Sequence, residues 1–142
     1  MLKGFRYLDH MTDVIVESWG TSLEEVFEYA ALALVNTMFD INHVSLSQQI
    51  QIEVEGHDLE SLLYNWLEKV LIIILVDNII MSFFKVIISK GQNTYYLAAI
   101  GKGERISLEK HQYKVEIKGV TYHEMKIEEK NDKFNAKFLL DL

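Results

Sequence analysis

Asp9-His10-Met11-Thr12-Asp13 is the densest gathering of ligand-capable side chains in the 142 residues. Carboxylates and an imidazole this close can serve a metal or catalytic centre in which Asp13, with Asp9 or His10, meets a further carboxylate. The alternative is an Asx-type turn whose side chains cap their own backbone. His10 has neither an HExxH pattern nor a second histidine at ligand spacing. At the other end the chain stops at Asp141-Leu142, which sets the Asp141 side chain beside an α-carboxylate. Two acids at one point repel unless a cation lies between them, and a hard divalent ion would need only one or two further oxygens there. With no cysteine in the chain, any metal must be held by oxygen or imidazole.

Other chemistry-bearing types point more weakly. Gly101-Lys102-Gly103-Glu104-Arg105 lacks the GxxxxGK[ST] spacing of a phosphate loop and lies between strand-like segments, which predicts a hairpin turn. His111 and His123, beside Lys110 and Tyr122, read as hydrogen-bonded or surface residues rather than ligands, and His43 and His57 as loop residues. Trp19 and Trp66 follow the apolar pattern of their segments and read as core anchors, not stacking platforms. The net charge is −7, with 3 basic and 12 acidic residues in 1–71 against 11 and 9 in 72–142. An acidic chain with no basic run along its sequence is expected to prefer cations or basic surfaces over direct contact with nucleic acid.

The elements that must position these residues are two helices among strands. Leu23, Val26, Phe27, Ala30, Ala31, Leu34, Val35 and Met38 recur at helical steps over 21–39, opened by Ser22 and Glu25 as a capping box. A second helix starts at Asp58 and presents Leu59, Leu62, Leu63, Trp66, Leu67, Val70, Leu71 and Ile74 on one face. Glu60, Ser61, Asn65, Glu68 and Lys69 fall on its wet side, and it is expected to be the more buried helix. Alternating β-branched and aromatic residues predict strands near 4–8, 13–19, 48–55, 79–89, 93–100, 112–118, 121–129 and 133–140. Gly91-Gln92-Asn93 and Lys130-Asn131-Asp132 predict hairpin loops, hence antiparallel neighbours. The fold class is α+β, a single domain over 1–142. The longest apolar run, Val70 to Val76, is far short of a membrane span, and the N-terminus lacks a secretory pattern, so a cytoplasmic protein is expected.

Beyond this point the ordered motifs carry more than their physics. Tyr7-Leu8-Asp9-His10-Met11-Thr12-Asp13-Val14, Trp19-Gly20-Thr21-Ser22-Leu23-Glu24-Glu25 and Asp58-Leu59-Glu60-Ser61-Leu62-Leu63 with Trp66-Leu67 resemble pieces of the archease family. So do Gly101-Lys102-Gly103-Glu104, Lys110-His111, Val120-Thr121-Tyr122-His123 and the closing Asp141-Leu142. Met11 stands where the family has Thr, and Thr12 where Ala is usual. The resemblance implies a non-catalytic protein cofactor of the tRNA-splicing RNA ligase, which joins 2′,3′-cyclic phosphate or 3′-phosphate ends to 5′-hydroxyls. Such a cofactor promotes ligase guanylylation and repeated turnover, and meets RNA indirectly, through the ligase. It implies a divalent cation, Ca²⁺ by ligand chemistry, on Asp13, Asp141 and the Leu142 carboxylate, with Lys110, His10 and Asp9 in activation or partner contact. The competing expectations are a general chaperone or interaction module and a metal-dependent hydrolase built on His10 and Asp13.

Overall fold

Both helices begin where the sequence provides a side-chain acceptor for their first free N–H groups. In the computed structural model, which describes residues 2–10 and 12–142 with Asp9 and His10 by backbone alone, helix α1 spans Leu23–Met38. Ser22 Oγ accepts from Glu25 N at 3.1 Å, but the Glu25 carboxylate reaches one residue further back than a capping box requires, to Thr21 N and Oγ1, both at 2.8 Å. Helix α2 spans Leu59–Asp77 with the full reciprocal box: Asp58 Oδ1 accepts from Ser61 N at 2.7 Å, and Ser61 Oγ accepts from Asp58 N at 3.1 Å. That box turns Ser61 inward, so it is buried rather than on the wet side. Asn78, in the left-handed conformation, ends the helix.

Among the described residues, seven strands form two antiparallel sheets. The first has β1 (Gly4–His10), β2 (Asp13–Gly20), β7 (Lys133–Asp141) and β6 (Gly119–Lys130) in the order β1-β2-β7-β6; the second has β3 (Gln48–Gly56), β5 (Tyr95–Arg105) and β4 (Ile79–Lys90) in the order β3-β5-β4. Each helix touches both sheets, so the helix pair is a middle layer. This explains why α1 buries Val26, Phe27, Ala30, Ala31, Ala33, Leu34, Val35 and Met38, more than one stripe. α2 is not the more buried of the two, because Ile72, Leu75 and Val76 in its last turns stay exposed. Trp66 is a core anchor: fully buried, it donates Nε1–H to the Phe27 carbonyl at 2.9 Å and meets Phe84 edge to face.

The two expected hairpin loops form. Asn131 and Asp132 both have positive φ, as a two-residue primed turn requires. Two expected elements do not form. Residues 101–105 are no turn; they continue β5, where Gly103 lets the β4 backbone, bulged between Met81 and Phe83, come too close for any side chain and Gly101 leaves room for the Met81 and Phe84 side chains. The segment 112–118 forms no strand, only one bridge from Tyr113 to Phe39. It passes the end of α1, where Lys114 N bonds to the Met38 carbonyl, and crosses to the first sheet, where Lys118 N bonds to the Asp141 carbonyl.

Candidate cation and partner-binding site

The register of the first sheet sets Asp13 directly opposite Asp141. Along β2, Val14, Val16 and Ser18 face the core, so Asp13 belongs to the outer face, and Asp141 is exposed beside it. The Leu142 amide donates to the Thr12 carbonyl at 3.0 Å. Thr12 and Leu142 are therefore the hydrogen-bonded pair, and Asp13 and Asp141 form the closer, non-bonded kind, with Cβ atoms about 5 Å apart. Among the described residues, no ion pair involves either carboxylate. The Leu142 side chain is half-buried and closes a cleft of about 230 Å³ with Tyr7, Val14, Asn36, Thr37, Lys114 and Val115. That contact and the Thr12 bond hold the last residue against the pair.

The donors here are all hard oxygens, which suit Ca²⁺ and related ions. Among the described residues, no three of His, Asp and Glu stand close enough together to hold an ion by side chains alone. The residues present fit a cation whose remaining ligands are main-chain oxygens, water or groups of a partner. Asp9 and His10 end β1, and His10 pairs with Val14 through the backbone; their side chains, and Met11, lie outside the described residues.

Lys110 is held elsewhere. Its ammonium lies 2.7 Å from Glu104 Oε2 and 2.7 Å from Ser45 Oγ. The same Glu104 oxygen accepts from Ser45 N at 2.8 Å and faces His111 Nε2 at 2.9 Å. His111 is fully buried and accepts at Nδ1 from Ser107 N, so its hydrogen sits on Nε2 and points at the carboxylate. Three donors, Lys110 first, then Ser45 and His111, lower the Glu104 pKa from 4.5 to about 2. The hub ties the loop after α1 to the turn that opens the crossing segment. His111 is thus a hydrogen-bonded structural residue, as its surroundings in the sequence suggest. The sequence offers Glu104 only as part of a turn-like stretch and a family motif, with no role of its own; its signal is an acid closing a glycine-spaced strand end, six residues before a Lys-His pair.

The profile of the Archease protein family matches residues 5–142. The chain belongs to the archease family. It is 41% identical over 131 residues to the protein archease of Pyrococcus abyssi, covering 92% of each chain. The solution structure of protein 1598 of Methanobacterium thermoautotrophicum matches with a TM-score of 0.85 at 36% identity, over 98% of this chain and 99% of the other. An archease crystal structure from Thermotoga maritima, described as a possible chaperone, shares the fold at a TM-score of 0.60 and 20% identity, over 95% and 94% of the two chains.

Several pieces that carried the archease resemblance have structural work to do. In Val120-Thr121-Tyr122-His123 the first two residues pair with β7 and the last two open a bulge in β6, where three extra residues separate the pairs of Thr121 and Lys126. Tyr122, in that bulged stretch, stacks on Tyr64 of α2 with ring centroids 4.3 Å apart. Among the described residues no helix is long and apolar enough to cross a membrane.

Proposed function

We propose that this archease is a non-catalytic, cation-binding activator of the tRNA-splicing RNA ligase, acting in the cytoplasm and promoting ligase guanylylation and repeated turnover. The observation that carries the reading is the Asp13–Asp141 cross-strand pair with the Leu142 main chain pinned beside it. Two like charges in register destabilise a sheet unless a counter-charge arrives. A divalent ion, Ca²⁺ by its ligand preferences, would supply that neutralisation, and its unfilled coordination positions would suit groups of the ligase. Asp9 and His10, at the end of the neighbouring strand, and Lys110, held apart from the pair by Glu104, are the further proposed partner contacts. Activation requires tighter binding to the reactive or reset state of the ligase than to the stalled one, since equal affinity shifts nothing.

The test is sealing of a cyclic-phosphate RNA by the partner ligase with substrate in large excess, with and without this protein. Stimulated turnover that falls about tenfold or more with Asp141→Ala is expected. Full stimulation by folded Asp13→Ala and Asp141→Ala variants would remove the pair from the mechanism. A chaperone for nucleic-acid-processing enzymes is the second reading, supported by the words used for the Thermotoga relative. It predicts suppressed aggregation of a heated ligase with no dependence on Asp13.

A further inference from the structure

The outer face of the first sheet changes character along its strands. Near one end stand Asp13 and Asp141; toward the other, the register lines up Arg6, Glu17, Lys137 and Lys126 across all four strands. The next outward row holds Trp19, Asn135 and Glu128, and the last Lys133 opposite Lys130. These lysines, scattered in sequence, converge on one open groove of about 480 Å³ lined also by Trp19 and Phe134. The face therefore carries the basic cluster that the sequence as a string does not show.

We propose that this groove binds a single-stranded polynucleotide through its phosphates, with a base laid against Trp19. The acids in it do not cancel its charge. Glu17 is taken by Arg6 at 3.1 Å. Lys126–Glu128 is a mostly exposed pair at 3.1 Å, which water and salt weaken, and Lys137 has only a loose contact with Glu124 at 3.8 Å. Among the described residues, Lys130 and Lys133 have no carboxylate partner. Lysine stands opposite lysine in two rows, an arrangement that disfavours the sheet unless anions bind. The rows are four residues apart, about 13 Å, with the Trp19 row between them. That places an aromatic face between two cationic bars, the pattern of a base flanked by phosphates. Trp19 is half-buried, its ring resting on Gly4, and is no interior anchor like Trp66. An acidic protein segment would use the lysines but leave the tryptophan idle. Six residues of β2, about 20 Å, separate Trp19 from Asp13, so a strand held here and a partner at the acidic end would not exclude each other. The inference stands on the groove and does not require the ligase reading.

The experiment is fluorescence anisotropy of a labelled oligouridylate about 12 nucleotides long. Three or four phosphate contacts predict a loss of affinity of roughly 20- to 50-fold between 50 and 200 mM salt. Binding should also quench tryptophan emission, and since Trp66 is fully buried the quench reports Trp19. The Lys126→Gln, Lys130→Gln, Lys133→Gln, Lys137→Gln quadruple variant should lose about tenfold or more at low salt and flatten the salt slope. The Lys130→Gln, Lys133→Gln pair, confined to an exposed hairpin, should lose part of it without touching the sheet interior. Absence of binding, binding that both variants retain, or displacement by polyaspartate with no tryptophan quench would overturn the proposal, the last in favour of an acidic protein.

Discussion

Glu104 and the Asp13–Asp141 pair both place carboxylates at strand ends, and the molecule treats them oppositely. One oxygen of Glu104 receives Lys110, the Ser45 amide and His111, all within 2.9 Å. The aspartates face each other across a close pair, and among the described residues no cation meets either. Glu104 Oε2, already accepting from three donors, serves the fold, because a lone pair so engaged is one it cannot offer to a visitor. A repelling pair serves the fold poorly, and gains only when something positive arrives. The resemblance to family motifs does not separate the two cases, since both lie in matching pieces. Geometry does.

The largest effect that could break this comparison is on activation. Asp141→Ala should abolish stimulation of the ligase, about tenfold or more, while leaving the melting temperature unchanged or slightly higher. Glu104→Gln should do the reverse in kind: stimulation is retained at low temperature, but Tm falls by about 5 °C, because buried His111 and the Ser45 amide lose a charged acceptor. A Glu104→Gln protein that kept its Tm but lost activation would show that Glu104 acts by holding Lys110 for the partner and not by holding the fold. The pH dependence sharpens the same point. The folded pKa of Glu104 is depressed, so its contribution to stability is fully present above about 4.5 and is lost as pH falls toward about 2. Acid melting curves of the wild type should steepen across that window, and Glu104→Gln should flatten them.

What was legible in the sequence follows the range of the interactions. Helix starts are local, and Ser22 and Asp58 are the caps their types suggest. Hairpin loops are local too. The Asp13–Asp141 meeting is not local, and composition offers only two acidic ends; the β2–β7 register brings them together. The lysine groove was hidden for the same reason: Lys126, Lys130, Lys133 and Lys137 join only when β6 folds back on β7. Glycine at 101 and 103 looks like turn chemistry until the β4 bulge is known to need the space. Residues 112–118 alternate like a strand, yet both sheets already have their edges, and the segment serves as a crossing.

The smallest effect is the most direct test of the contrast. If Asp13 and Asp141 repel in the resting protein, Asp13→Asn removes a like charge at a directly opposed position and should stabilise by about 0.2–1 kcal/mol, a rise in Tm of roughly 1–3 °C at low salt. The gain should shrink in about 1 M salt, where charges only a few ångströms apart are screened. Added Ca²⁺ should raise the wild-type Tm by mass action and have little effect on the variant, since a ligand that binds only the intact pair stabilises only the intact protein. A side chain whose loss improves stability while removing activation is kept for its chemistry. A fall in Tm with Asp13→Asn, at low salt and without Ca²⁺, would instead place Asp13 among the residues that hold the fold, and the two carboxylate sites would then differ only in degree.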